Sequence, residues 1–149
     1  MYCALISFGT PAFDEILALR DAVLRKPLQL EFNSIDIAGE WNDLHFGLYD
    51  PADCLLGTCS YVYQGRHRWK MRQVCVHPEF QSRGFGFTMV ERTEQELFQR
   101  FKAEFISLHA REESLPFYLR MNYIREGEKF IEVGIPHYFM FKKLNDDKS

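Results

Sequence analysis

The sequence predicts an α+β domain, with one mixed, mostly antiparallel central sheet and helices on both faces. Three observations lead there. Hydrophobic patterning orders the elements as strand, helix, three strands, helix, strand, helix, two strands. The three middle β-runs are joined by turns so short that they read as an antiparallel meander. No internal repeat or long linker divides the 149 residues, so one domain over 1–149 is expected.

Tyr2–Phe8 is a short β-prone run that opens the sheet. Thr10-Pro11 marks a helix start, with Thr10 as N-cap, Pro11 at the first helical position and Asp14-Glu15 in the first turn. Phe13, Ile16, Leu17, Val23 and Leu24 follow at roughly helical spacing, and Pro27 stops the run. Leu28 to Asn42 reads mostly as loop with a short helix. Leu44–Tyr49, the turn Asp50-Pro51-Ala52-Asp53, Leu55–Tyr63, the turn Gln64-Gly65 and Arg68–Val76 make the meander. Gly86–Phe101 is an amphipathic helix with Met89, Val90, Leu97, Phe98 and Phe101 inward, and Glu91, Arg92, Gln95, Glu96 and Gln99 solvated. Phe105–Ala110 is a strand. Ser114–Asn122 is a short helix with Ser114 as cap and Pro116 near its start. Arg125–Val133 and Tyr138–Lys143 are the last strands, joined through Gly134-Ile135-Pro136, and the tail after Leu144 is expected to be loose.

Composition narrows the function. The chain is 46% hydrophobic, enough for a core, yet it lacks the roughly 18 uninterrupted apolar residues of a membrane helix. Its first residues lack the positive leader of a secretory signal. A net charge of −3 argues against a sequence-independent nucleic-acid binder. The one basic run, Arg66–Arg72, reads as a hairpin tip entering a strand, whose residues alternate faces and cannot form one patch. Cys3, Cys54, Cys59 and Cys75 lack C-x-x-C spacing, which fits reduced, partly buried thiols in a cytoplasmic protein, without disulfides or zinc.

The segment that carries chemistry is Val74–Phe87, V-C-V-H-P-E-F-Q-S-R-G-F-G-F. An apolar strand ends at Val76, and Gln81-Ser82-Arg83-Gly84-Phe85-Gly86 leads into the long helix. Free amides at a helix start, together with its dipole, attract an anion. Gly84 and Gly86 let backbone approach a phosphate and take angles closed to other residues, and Arg83 adds a charged donor. A G-x-x-x-x-G-K-[ST] loop is excluded because the one Lys-Ser pair, Lys148-Ser149, follows Asp147 where the motif needs glycine, and there is no Lys-Thr pair. A G-x-G-x-x-G fingerprint fails at Met89, the third glycine's place. Q/R-x-x-G-x-G/A after a strand and a V-x-P-E/D loop is matched by Gln81–Gly86 at every specified position.

In this segment the chain resembles the acetyl-CoA-binding motif of the GNAT superfamily of N-acyltransferases, in its small bacterial type. The element order over nearly the whole chain is similar too. The resemblance implies that the pyrophosphate of acetyl-CoA rests on the amides of Gln81, Ser82, Arg83, Gly84, Phe85, Gly86 and Phe87. The pantetheine arm would run along Val74, Cys75 and Val76 as an added strand does. That strand and Phe105–Ala110 would splay to admit the thioester, and a β-bulge near Arg72–Val74 is a natural cause. Ser114–Tyr123 resembles the superfamily's A-x-x-F-Y-x-x-x-G-F segment, which makes Tyr118 the acid that protonates the departing thiolate. Asn122 stands there for the usual glycine, Ser114 for alanine and, just upstream, Arg111 for asparagine. Asn122 is the mild departure, because asparagine tolerates left-handed backbone.

Glu132–Met140 is similar to an E-x-G-I-P-H-x-x-M run that closes some small bacterial members. The similarity implies that Glu132 and His137 lie near the acceptor pocket, where an imidazole takes a proton from an ammonium group. Where some protein-lysine acetyltransferases carry a glutamate base, this chain has Lys70. Glu40, Asp43, His45, His77 and His109 remain as other candidates. The expected activity is direct acetyl transfer from acetyl-CoA to a primary amine on a small molecule or peptide, with no metal and no acyl-cysteine. Glu31, Glu40, Asp43 and Asp50 would suit a cationic acceptor. A rival reading is a non-catalytic acyl-CoA sensor on the same fold, and another is a nucleic-acid module using Arg66–Arg72. The resemblance also allows a homodimer paired through the last strands.

Overall fold

A computed structural model describes residues 1–28 and 37–145. The fold is mixed α+β, with a seven-stranded, mostly antiparallel sheet in the order β1-β2-β3-β4-β5-β7-β6. The strands are β1 (Tyr2–Ile6), β2 (Leu44–Tyr49), β3 (Leu55–Gly65), β4 (Arg68–Val76), β5 (Phe105–Arg111), β6 (Ile124–Glu132) and β7 (Ile135–Lys143). The helices are α1 (Pro11–Arg20), α2 (Phe85–Phe101) and α3 (Leu115–Arg120). By compactness the chain divides into Met1–Val62 with Gln73–Thr93, and Tyr63–Arg72 with Glu94–Ser149.

In the first unit β2 pairs antiparallel with both β1 and β3, from Tyr2↔Tyr49 and Leu44↔Tyr61 onward. α1 starts as its sequence demands: Thr10 Oγ1 accepts from Phe13 N–H at 3.3 Å, and Phe13, Ile16 and Leu19 are buried. The helix does not stay regular to Pro27. It ends at Arg20 and continues as a π-turn, Asp21–Arg25, in which Lys26 N–H bonds back to Asp21 O. Pro27 has no N–H for Val23 O and its ring crowds that carbonyl, so the chain widens before the proline. Of the expected loop 28–42, residues 29–36 lie outside the described residues. The chain then turns twice, with Glu40 N–H on Ile37 O and Asp43 N–H on Glu40 O. The expected Asp50 turn forms: Asp50 Oδ1 accepts from Ala52 and Cys54 N–H at 2.8 and 3.0 Å.

A buried ion pair ties this unit together. Arg20 Nη1 and Nη2 donate to both Glu40 carboxylate oxygens at 2.9 and 2.8 Å, and His45 Nε2 donates to Glu40 O at 2.9 Å. Burial alone would raise the Glu40 pKa, but the hydrogen bonds and charge of Arg20, with smaller help from Gln73 and His45, hold it below the usual carboxylate range.

In the second unit the hairpin tip is Arg66-His67, at φ 54° and 61°, two residues beyond the expected Gln64-Gly65. Twisted strands favour a two-residue turn with both central residues left-handed. Here His67 closes it, its N–H donating to Tyr63 Oη at 3.3 Å and its O accepting from Glu104 N–H at 2.8 Å. The basic run alternates as expected: Trp69 and Met71 are buried, while Arg66, Arg68 and Arg72 are exposed. Its tryptophan packs on Tyr63 and Phe101 at 4.9 and 5.9 Å between ring centres, so it offers no face to a base. Arg68–Lys70 pair in parallel with Phe105–Ser107, and β7 pairs antiparallel with β5 and β6.

The last hairpin turns at Val133-Gly134 (φ 47° and 75°), and Ile135 and Pro136 already belong to β7. Sequence placed them in the turn. Proline is tolerated there because Glu132↔Ile135 and Phe130↔His137 alternate around Ile131↔Pro136, while the β5 ladder begins only at His137. Ser114 precedes α3 but makes no capping bond; its backbone is already helical, continuing a 3-10 turn, Glu112–Ser114. α2 buries Thr93 and Glu94, two polar residues inside its apolar face. In the second unit Glu94 accepts from Tyr123 Oη at 2.6 Å and from Lys142 Nζ at 2.8 Å. Residues 146–149 of the tail lie outside the described residues, and among those described no helix is long and apolar enough to cross a membrane.

Glu40→Ala is expected to cost about 3–5 kcal/mol in urea unfolding, because it strands a buried guanidinium. The Glu40 pKa is lowered on folding, so its contribution is complete above its unfolded value near 4.5 and is lost as pH falls through the lower folded value. Wild type should therefore lose stability on acidification more steeply than Glu40→Gln.

Candidate functional site

In the first unit, β4 ends in Val74, Cys75 and Val76, and His77 N–H ties the exit to Leu56 O at 2.7 Å. A 3-10 turn, Pro78–Phe80, follows, capped by His77 Nδ1, which accepts from Glu79 N–H at 3.2 Å. Gln81 then reaches back, its Nε2 donating to Val76 O at 3.0 Å. Ser82 and Gly84 are both left-handed, at φ 64° and 82°, and α2 begins directly after them with Thr88 N–H on Gly84 O. The first-turn amides of Phe85, Gly86 and Phe87 have no intrahelical acceptor, and the loop 81–84 that leads to them is exposed. Alternating left-handed residues ahead of a helix start turn successive N–H groups toward an anion. Gly84 takes the backbone expected of it; Gly86 sits in ordinary helix, and Ser82 supplies the second left-handed position, which sequence did not reveal. Arg83 lies over the Phe80 ring at 5.7 Å, and Phe80 packs on Phe85 at 6.2 Å.

The strand before the loop is shaped by two residues. Gln73 is left-handed (φ 56°) inside β4, at the position where a bulge was expected. Gly57 on β3 carries no side chain because a Cβ there would sit 2.9 Å from Cys75 O and 3.3 Å from Met89 Sδ. Burial pushes the Cys75 thiol up to about 12, so it holds no thiolate at neutral pH. Of the base candidates here, Glu40 is committed to Arg20, and His77 to its cap. Among the described residues, the buried atoms His45 Nδ1, Arg20 Nε and Gln73 Oε1 have no hydrogen-bond partner.

In the second unit Tyr118 is buried on α3 with its ring edge-on to Phe117 and Tyr123, at 4.9 and 5.7 Å. Its carbonyl accepts from Met121 and Tyr123 N–H, and Asn122 closes the turn at φ 71°, the conformation for which asparagine substitutes for glycine. His137 is buried on β7, with Nδ1 2.8 Å from Ile135 O. Glu132 links two imidazoles, 2.9 Å from His109 Nδ1 and 3.8 Å from His137 Nε2. Burial would raise the Glu132 pKa, but the His109 bond and the charges of His109, His137 and Lys70 hold it low. Burial, with Arg72, lowers the Lys70 pKa, and Glu132 opposes that. Among the described residues no group of three or more His, Cys, Asp or Glu side chains is arranged to hold a metal ion.

Comparison with known proteins shows the family to which the chain belongs. The profile described as "Acetyltransferase (GNAT) family" matches residues 13–123. The chain belongs to the GNAT acetyltransferase family. It is 25% identical over 111 residues to the uncharacterized protein YyaT of Bacillus subtilis, covering 65% of this chain and 74% of that one. Its fold is similar to a crystal structure of a putative N-acetyltransferase from Lactobacillus plantarum (TM-score 0.84, 22% identity, 97% and 100% of the two chains). It is also similar to an aminoglycoside 6'-N-acetyltransferase complexed with coenzyme A (TM-score 0.78, 17% identity, 96% and 97%).

The burial pattern predicts an order of thiol reactivity. With Ellman's reagent on native protein, exposed Cys54 should react within minutes, whereas Cys59 and Cys75 should react only on unfolding. Gly57→Ala, forced against strand backbone, is expected to lower the thermal midpoint by several degrees.

Proposed function

We propose that residues 1–149 form a single acetyl-CoA-dependent N-acetyltransferase domain acting in the cytoplasm on a primary amine, by direct transfer in a ternary complex. The observation that carries this reading is the pair of left-handed residues, Ser82 and Gly84, immediately ahead of the 17-residue helix α2. In this reading the amides of residues 81–87 hold the pyrophosphate. Val74, Cys75 and Val76 offer backbone to the pantetheine arm.

The amine nitrogen attacks the thioester carbonyl, and an amide at the end of β4 stabilises the oxyanion. Collapse expels the thiolate of coenzyme A, which Tyr118 protonates. His137 takes the proton the amine loses. The high pKa of the Cys75 thiol supports direct attack over a cysteine-bound acyl group. The aminoglycoside acetyltransferase of similar fold acts on an amine, which supports the acceptor class.

Calorimetry with acetyl-CoA tests the cofactor half. Gly84→Val forces a β-branched residue into φ 82° and should weaken binding at least tenfold; unchanged binding would sink the loop assignment. A screen of amines for coenzyme A thiol release tests the transfer. With the best acceptor, Tyr118→Phe should lower kcat by about 10²-fold or more and leave acetyl-CoA affinity near wild type. A chain that binds acetyl-CoA with no turnover on any amine would instead be the sensor.

A further inference from the structure

The second unit carries a buried acid to which the transferase reading gives no task. Glu94 lies inside the apolar face of α2 and is 6% exposed. Its Oε1 accepts from Lys142 Nζ on β7 at 2.8 Å, and its Oε2 accepts from Tyr123 Oη at 2.6 Å. The second distance is that of a charge-assisted O–H···O⁻ bond. Lys142 also stands over the Tyr123 ring, 5.5 Å from its centre. Stability does not account for this cluster, because well-packed hydrophobic residues in place of a buried ion pair are often as stable or more so. A phenylalanine at 123 would fill the same space. What the hydroxyl and its carboxylate add is a fixed direction for one ring.

That ring touches Tyr118. The two centres are 5.7 Å apart with the planes at 77°, and Tyr123 N–H also donates to Tyr118 O at 3.0 Å. Between them Asn122 turns the chain at φ 71°, so residues 118 and 123 are joined both through backbone and through rings. We propose that Tyr123, anchored by Glu94 and Lys142, is the positioning residue that aims the Tyr118 hydroxyl at the departing sulfur. This rests on the transferase reading, in which Tyr118 is the acid.

Aim matters because the step moves a proton along a line. As the carbon–sulfur bond breaks, its electron pair stays on sulfur, the Tyr118 O–H bond breaks, and the proton bonds to the sulfur. The phenolate regains a proton from water after the products leave. A hydrogen bond weakens steeply as its donor swings off line, so a ring free to tilt delivers the proton more slowly. None of the three anchoring side chains needs to touch the reacting atoms: Glu94 and Lys142 act on Tyr123, and Tyr123 acts on Tyr118. The anchor is stiff, since a phenol that let go of Glu94 would leave a buried carboxylate oxygen short of a donor.

The test is a double-mutant cycle on the full chain, at saturating acetyl-CoA and with the best amine from the thiol-release screen. Tyr123→Phe keeps the ring and removes the anchor. Alone, it should lower kcat about tenfold and leave acetyl-CoA affinity, by calorimetry, near wild type. Added to Tyr118→Phe, it should lower kcat no further, because the acid it serves is gone. A merely structural role would slow both backgrounds alike. A readout without turnover is the ¹³Cζ resonance of Tyr118 in tyrosine-labelled protein, assigned with Tyr118→Phe, which Tyr123→Phe should shift. Wild-type kcat in Tyr123→Phe, equal losses in the two backgrounds, or an unmoved Tyr118 resonance overturns the inference and leaves the transferase reading standing. No turnover on any amine, or wild-type kcat in Tyr118→Phe, overturns that reading and the inference with it.

Discussion

The first unit depends on how closely β3, β4 and α2 approach one another, and Gly57 sets that distance. A single methyl there would press on the Cys75 carbonyl at 2.9 Å, which is backbone and cannot swing aside. Packing beside it is completed by polar pairing inside α2's apolar face, where Thr93 Oγ1 meets Tyr61 Oη at 2.7 Å and Met89 O at 2.9 Å. A helix anchored so tightly holds its first turn in one place, and the loop before it must reverse within a few residues. Left-handed backbone at Ser82 and Gly84 is what allows that reversal.

A second constraint is the buried charge of Arg20. A guanidinium 1% exposed needs a carboxylate, and Glu40 supplies both oxygens. That commitment removes Glu40 from the set of general bases although it sits among polar neighbours. In the second unit Glu132 Oε1 lies 2.9 Å from His109 Nδ1 and Oε2 3.8 Å from His137 Nε2. Burial and hydrogen bonding sort these acids more sharply than residue type does.

Local chemistry was legible where one or two residues decide a conformation. Thr10-Pro11 started a helix, Asp50 made its turn, Asn122 took left-handed backbone, and the motif over residues 74–87 identified the family that the profile match bears out. Sequence erred by two residues at the first hairpin tip and by one at the start of the last. Turn position is settled by cross-strand register and twist, and Arg66-His67 and Val133-Gly134 carry little of the usual turn signal. It also carried α1 too far, because hydrophobic spacing continues through Val23 and Leu24 while Pro27 disrupts hydrogen bonding upstream of itself.

The sequence alone determined the element order, the fold class and the loop that names the family, since each follows from residues near one another in the chain. The tertiary structure alone decided which polar side chains meet: Arg20 with Glu40, Tyr61 with Thr93, Glu94 with Tyr123 and Lys142, Glu132 with His109. These partners lie 20 to 48 residues apart. Periodicity reports which face of an element a residue occupies and carries no term for what stands opposite it, so long-range pairing of charge waits on the folded chain.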